Sequence, residues 1–118
     1  MTEANTGMRG PTYWILAALQ DDPLHGYAII KRVEMLSRGR IRLATGTLYA
    51  ALDRLTGEDH VEVVNEEVVN GRARRYYSLT PTGRSALLAE AVRMAEAAHL
   101  VIDRSARAAM IRPAAGLA

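Results

Sequence analysis

Thr45-Gly46-Thr47-Leu48-Tyr49-Ala50-Ala51-Leu52-Asp53-Arg54-Leu55 is the stretch that decides the fold of this 118-residue chain. Leu48, Ala51, Leu52 and Leu55 recur at i, i+3, i+4 and i+7, which gives a helix one continuous apolar stripe to bury. Gly46, Thr47, Tyr49 and Ala50 fall opposite or beside that stripe, and none is the Lys or Glu that normally solvates a surface helix. A face so small and uncharged suits close approach to another molecule. Thr45 is expected to be the N-cap, so the free N–H groups and the positive dipole end point the same way as the small residues. A helix presented like this can enter a DNA major groove with its first residues near phosphates and base edges. The alternative is an ordinary surface helix, and its neighbours in the chain decide between the two.

Composition limits the options. The length suits one domain with a modest core, 49% of residues being apolar and 24% charged. With no cysteine, disulfides, thiolate chemistry and cysteine-ligated zinc are excluded. No apolar run approaches a membrane span, and the first ten residues lack the basic start and apolar centre of a signal peptide, so no membrane partner and a cytoplasmic location are expected. The net charge is only +2, but its sign is segregated. Lys31, Arg32, Arg38, Arg40 and Arg42 oppose a single Glu34, whereas Glu58, Asp59, Glu62, Glu66 and Glu67 form a run without lysine or arginine. One lysine stands beside fourteen arginines in an alanine-rich chain, a bias that a GC-rich genome also produces. Arginine position therefore carries more weight than arginine number.

Residues 1–10 are polar and aperiodic, and are expected to be a mobile tail. From Pro11, the run Thr12 to Leu19 is apolar almost all round before Asp21-Asp22-Pro23 ends it. A helix apolar on every side must be covered on every side, which predicts that a second copy of the chain covers one face, with Tyr13 and Leu16 at the seam. Leu24-His25-Gly26 is expected as a turn. Ile29, Ile30, Val33 and Leu36 then mark a second amphipathic helix ending near Gly39. Two helices joined by a short basic segment, the second with a readable outer face, form a helix-turn-helix. Val61 and Val63 alternate with Glu62 and Val64, and beyond Asn70-Gly71 the residues Arg75, Tyr77 and Leu79 alternate with Arg74, Tyr76 and Ser78. Period-2 runs flanking Asn-Gly signal a hairpin with a type I′ turn. A ribbon of two strands must lean on the helices before it, so the fold class is mainly α with a small β-hairpin, a winged helix-turn-helix occupying 11–80.

Thr80-Pro81 restarts the chain with an N-cap threonine and a first-turn proline. The helix is expected over 81–112, its stretch of roughly 28 residues without proline or glycine from Arg84 alone extending about 40 Å, with a mobile tail at 113–118. Leu87, Met94, Ala98 and Val101 lie on a heptad-like seam that needs a partner, which makes this the dimerisation helix and the protein a homodimer.

Leu24-His25-Gly26-Tyr27, the stretch Gly46 to Leu55, and Gly71-Arg72-Ala73-Arg74-Arg75-Tyr76-Tyr77-Ser78-Leu79-Thr80-Pro81-Thr82-Gly83 together resemble the PadR family of bacterial transcriptional regulators. The three blocks stand in order across roughly Leu16 to Leu88. The resemblance implies a winged-helix homodimer that represses a promoter and is released by a small molecule, often a phenolic acid or a drug-like compound. The single long C-terminal helix is similar to the short subfamily. Two departures stand out: Ala50 replaces a proline common in the family, and Asp59 replaces a glycine that usually ends the helix, with Gly57 two places earlier.

The functional residues expected on this basis are Thr45, Gly46, Thr47, Tyr49 and Ala50 on the recognition helix, Arg42 before it, and Arg72, Arg74 and Arg75 on the wing. Their partner is double-stranded DNA, in a near-palindromic operator. The competing readings are capping and packing for the helix hydroxyls, and a solvated loop for the arginines. Tyr76 and Tyr77 are expected to divide into one exposed and one buried residue. Trp14 and Met94 are candidates for a pocket holding a small aromatic or drug-like effector, if they lie at the dimer seam. His25, His60 and His99 fall in separate elements without ligand spacing, so no metal site or cofactor is expected. No nucleophile, phosphate loop or paired acid motif appears, so the chain is not read as an enzyme. The rival class is a winged-helix module for protein interaction without DNA binding.

Overall fold

A computed structural model describes Met8 and residues 10–117, with side chains described as far as Met110. In chain order the elements are α1 (Gly10–Ala18), β1 (Leu24–His25), α2 (Gly26–Leu36), α3 (Thr45–Gly57), β2 (Val61–Val69), β3 (Arg72–Leu79) and α4 (Pro81–Leu117). Two compact units result, the first ending at Leu88 and the second beginning at Ala89. The first unit is the winged helix-turn-helix.

Its core is built from one stripe of each helix. Ile15, Leu16 and Leu19 from α1 and just beyond it meet Ile29 and Val33 of α2 and Leu48, Ala51, Leu52 and Leu55 of α3; Val61, Tyr77 and Leu79 close it from the sheet. Leu87, only 4% exposed, belongs to the same core, which carries the first unit into the opening turns of α4. The domain boundary expected at residues 80 and 81 therefore lies beyond Leu88. Leu16 is fully buried as well. Leu16 and Leu87 have no surface left for a partner, a correction to the expected seam. The cause lies in α1: Ile15, Leu16 and Ala18 are buried and Tyr13, Trp14 and Ala17 pack partly against the core, so one chain covers nearly all of it.

Two helix ends have the same local form. At α2, Gly39 N–H donates to Glu34 O (2.8 Å) and Arg38 N–H to Met35 O (3.1 Å), the paired bonds of a Schellman cap. At α3, His60 N–H donates to Leu55 O (2.9 Å) and Asp59 N–H to Thr56 O (3.1 Å). Arg38 and Asp59 accordingly take φ of 56° and 62°. Asp59 thus holds the left-handed position for which glycine is the usual residue, and Gly57 is the last helical residue. α2 stops at Leu36, before the end expected near Gly39, because Arg38 and Gly39 are spent on this cap.

The hairpin pairs as its pattern predicts. Val69 lies opposite Arg72 across a two-residue loop, and Asn70 (φ 53°) and Gly71 (φ 78°) both adopt the positive φ of a type I′ turn. A bulge at Val64 shifts the register between Val63↔Tyr77 and Asn65↔Tyr76. Leu24-His25, expected as a turn, is instead a third strand: Leu24 pairs with Tyr77 and His25 with Tyr76, giving the order β1-β3-β2. Strand β3 is central, and its second edge of N–H and C=O groups needs partners that β1 supplies.

Three further boundaries differ from expectation. Ala44, not Thr45, is the extended residue before α3, with φ −74° and ψ 151°, and its carbonyl accepts the Leu48 N–H at 3.0 Å. Leu43 is buried, which fixes its neighbour as the last extended residue and leaves Thr45 in the first turn. At the N-terminus Met8 packs against the core and α1 already begins at Gly10; the rest of the segment expected as a tail lies outside the described residues. At the far end α4 continues to Leu117 through Pro113, whose fixed φ is compatible with a helix, so the tail expected at 113–118 is helical as far as it is described. No helix among the described residues is long and apolar enough to cross a membrane.

Thr80 caps α4, its Oγ accepting the Gly83 N–H at 2.9 Å and donating to Asp59 O at 2.6 Å. That cap draws the start of α4 onto the end of α3, and a Cβ on Gly83 would overlap the His60 carbonyl. Gly83→Ala should lower unfolding free energy by about 1–3 kcal/mol, because backbone cannot yield as a flexible side chain can. An unchanged denaturation midpoint would contradict this close contact.

His25 caps α2: its Nδ1 accepts the Ala28 N–H at 3.4 Å, which only the neutral ring can do. Burial holds the His25 pKa below its ordinary 6.5, the Arg74 charge adds to that, and Glu67 opposes it. The unfolded chain therefore binds this proton at higher pH than the folded chain. The stability due to neutral His25 is fully present above about pH 6.5 and is lost as pH falls through the lower folded pKa. His25→Asn keeps a capping oxygen without a titrating ring. It should lose less stability than the parent between about pH 7.5 and about pH 5.5, measured by urea denaturation; equal losses would remove His25 from the pH response.

Candidate nucleic-acid interface

Burying Leu48, Ala51, Leu52 and Leu55 turns the opposite side of α3 outward, and Thr45, Gly46, Thr47, Tyr49 and Ala50 are all exposed. No side chain caps the helix, so its first N–H groups and positive dipole end remain available at that surface. Tyr49 has a second task. A Cβ on Gly26 would overlap its hydroxyl, so the phenol ring lies directly on the first turn of α2. Gly26 is required by that contact, and Tyr49, 42% exposed, braces α3 against α2 while keeping part of its surface free.

Between this corner and the wing runs a groove of about 600 Å³. Tyr27 and Tyr49 line it on the helix side, and Arg72, Arg74 and Arg75 on the wing side. Tyr27 is 66% exposed, with the Lys31 ammonium 5.7 Å from its ring centre. His25 and Tyr27 are groove residues that sequence reasoning did not single out. The signal for them was His25-Gly26-Tyr27 itself, a glycine between two aromatic rings at the start of a helix.

Two of the three wing arginines are paired with carboxylates. Arg75 Nε donates to Glu66 at 3.2 Å, Arg74 lies 4.0 Å from Glu67, and the Tyr76 hydroxyl donates to the same Glu67 oxygen at 2.9 Å. Each ion pair joins directly opposed residues of β2 and β3, so strand register brings them together. The hydrogen bond to Glu66, followed by its charge, holds the Arg75 pKa above its ordinary value. Arg72, next to the turn, has no ion pair among the described residues. Arg42, exposed ahead of α3, lies 3.6 Å from Glu34. Tyr77 is buried while Tyr76 is half-buried and sets its ring edge-on to His25, with centroids 5.4 Å apart. Burial, followed by the nearby Tyr49, raises the Tyr77 pKa, against the pull of Arg75.

Of the residues expected at a dimer seam, Tyr13 is half-buried in the first unit, edge-on to Trp14 at 5.7 Å. Met94, Ala98 and Val101 are exposed on the second unit. Trp14 and Met94, the candidates for an effector pocket, belong to different units and do not line the groove beside the wing.

Residues 15–89 match the transcriptional regulator PadR-like family. The chain is 40% identical over 88 residues to "Transcriptional regulator Rv3488" of Mycobacterium tuberculosis, covering 75% of this chain and 78% of that protein. It is 43% identical over 89 residues to an uncharacterized 37.1 kDa protein in transposon TN4556 of Streptomyces fradiae, where the match covers 75% of this chain but 24% of the relative. The fold is similar to a PadR-like transcription factor from Bacteroides fragilis, with TM-score 0.68, 29% identity, and coverage of 86% of this chain and 94% of that one. It is also similar to Bacillus subtilis PadR in complex with operator DNA, with TM-score 0.60, 24% identity, and coverage of 67% and 46%. With its family match spanning helix-turn-helix, wing and the start of α4, this chain belongs to the PadR-like family of transcriptional regulators.

Proposed function

We propose that the protein is a homodimeric, sequence-specific repressor that reads a near-palindromic operator with α3 and steadies itself on the flanking backbone with its wing. The observation that carries this reading is the groove between the wing and the start of α2 with Tyr49 of α3, with Tyr27 and Tyr49 on one side and Arg72, Arg74 and Arg75 on the other, beside an α3 whose start has no side-chain cap. Exposed N–H groups and guanidiniums suit phosphate oxygens, and the small residues Gly46 and Ala50 let the helix backbone come close to base edges. Thr45, Thr47 and Tyr49 supply hydroxyls at the same surface, and Arg42 adds a charge ahead of it. Repression then follows from occupying promoter DNA, and release by a small aromatic or drug-like molecule completes the cycle, with Trp14 and Met94 the side chains offered for its binding.

Two symmetry-related α3 helices would enter successive major grooves about 34 Å apart, which sets operator half-sites roughly ten base pairs apart. Dimerisation would use the second unit, where Met94 and Val101 are 45% and 64% exposed. Leu88, Val92 and Ile102 extend the exposed apolar surface of α4.

Selection of bound DNA from a random pool yields the operator for the tests. Ala50→Glu should abolish specific binding, since it sets a carboxylate against phosphates; parental affinity would place α3 outside the groove. Replacing Arg72 and Arg74 with Ala should flatten the slope of log affinity against log salt by up to about 3–4 units, about 0.9 for each of four phosphate contacts in the dimer. An unchanged slope would eliminate the wing as a DNA contact.

Met94→Glu with Val101→Glu alters only exposed positions. In sedimentation a dimeric parent should become a folded monomer, and a variant that still sediments as the dimer would move the seam elsewhere.

A further inference from the structure

Two side chains of the wing, Arg74 and Tyr76, converge on Glu67. It lies opposite Arg74 across the β-ladder, its Oε1 is 4.0 Å from the Arg74 guanidinium, and the same oxygen accepts the Tyr76 hydroxyl at 2.9 Å. The Tyr76 ring meets His25 edge-on, with centroids 5.4 Å apart and planes at 90°. His25 is paired with Tyr76 through the backbone ladder as well, and its Nδ1 caps α2 through the Ala28 N–H. The first turn of α2, at Gly26, is the surface on which Tyr49 of α3 rests. A continuous line of contacts thus runs from a wing arginine to the recognition helix.

We propose that Glu67 is a positioning residue for operator reading: through Tyr76 and His25 it fixes the wing relative to the start of α2 and to Tyr49, and so sets the width of the groove between them. The proposal rests on the DNA-binding reading above and deepens it. The most exposed part of the wing gives independent support. Val68 is 74% exposed and Val63 and Val64 are near half, so little apolar packing holds the outer part of the ribbon. Polar side-chain links are what remain to fix it. A fixed width matters for an operator, where wing and helix must contact DNA together, and matters little for random DNA, which is held by phosphate charge alone.

Glu67 also keeps a negative charge beside Arg74, so an electrostatic role must be separated from a positioning one. Tyr76→Phe does this, because it removes the hydroxyl without changing charge or ring. Operator affinity of Tyr76→Phe should fall about three- to tenfold, the usual effect of one lost hydrogen bond, while affinity for scrambled DNA and the salt slope stay as in the parent. Glu67→Ala should lose operator affinity to a similar extent and gain on scrambled DNA. Glu67→Gln, which keeps an acceptor for Tyr76, should recover operator affinity to within about twofold of the parent. A second readout needs no DNA: in Tyr76→Phe the Ala28 amide should exchange faster with solvent while the midpoint of global unfolding is unchanged, since the ring that packs against His25 is no longer tethered to Glu67.

An operator-to-scrambled ratio in Tyr76→Phe equal to the parent's, or an Ala28 amide exchanging at the parental rate, would overturn the proposal. So would Glu67→Gln behaving as Glu67→Ala. A parent with no preference among DNA sequences would overturn the repressor reading itself and this inference with it, which separates the two failures.

Discussion

The structure depends on the burial of one helical stripe. Leu48, Leu52 and Leu55 are fully enclosed by α1, α2 and the sheet, and each such side chain is worth about 1.5–3 kcal/mol relative to exposure. That burial fixes the rotation of α3 about its own axis. Gly46, Thr47, Tyr49 and Ala50 face outward because their neighbours on the helix face inward. Arg54 secures the same orientation from the far end, donating to Thr12 of α1 at 2.8 Å and lying 3.7 Å from Glu58. The exposed face of α3 is therefore a consequence of the core and not an independent feature.

Electrostatics divides the candidate interface differently from what arginine positions alone suggest. Glu62, Glu66 and Glu67 on β2 balance Arg72, Arg74 and Arg75 on β3, so the wing as a whole carries no net charge. On the DNA-binding reading proposed above, its attraction for a phosphate backbone would come from where the guanidiniums sit, along the groove, and from Arg72, which has no ion pair among the described residues. Paired arginines are oriented before DNA arrives, but each contact to phosphate must compete with a carboxylate already within reach. Such an arrangement favours fit over charge. On the same reading it would limit sequence-independent attraction to DNA.

The first unit closes on itself more fully than its apolar first helix suggested. α1 packs its apolar residues within the domain, and Leu87 draws the opening turns of α4 into the same core. The later part of α4 also leaves apolar residues uncovered: Val92, Met94, Leu100, Val101 and Ile102 are exposed.

Features encoded over a few residues were legible in the sequence. The stripe of α3 follows from a spacing of three and four, the hairpin from period-2 runs around Asn70-Gly71, and the start of α4 from Thr80 before Pro81. Each is determined by local geometry: a helical period, a positive φ, an unpaired N–H. Tertiary structure decided what depends on residues distant in the chain. Leu24-His25 became a strand only because β3 offered it an edge, and Leu16 and Leu87 became core only because other elements enclosed them. Tyr49 came to rest on Gly26, and the wing arginines met Glu66 and Glu67, through packing and register that no single segment contains. Periodicity states which face of an element must be buried, but what covers it, and which charges that brings together, is settled only when all the elements pack at once.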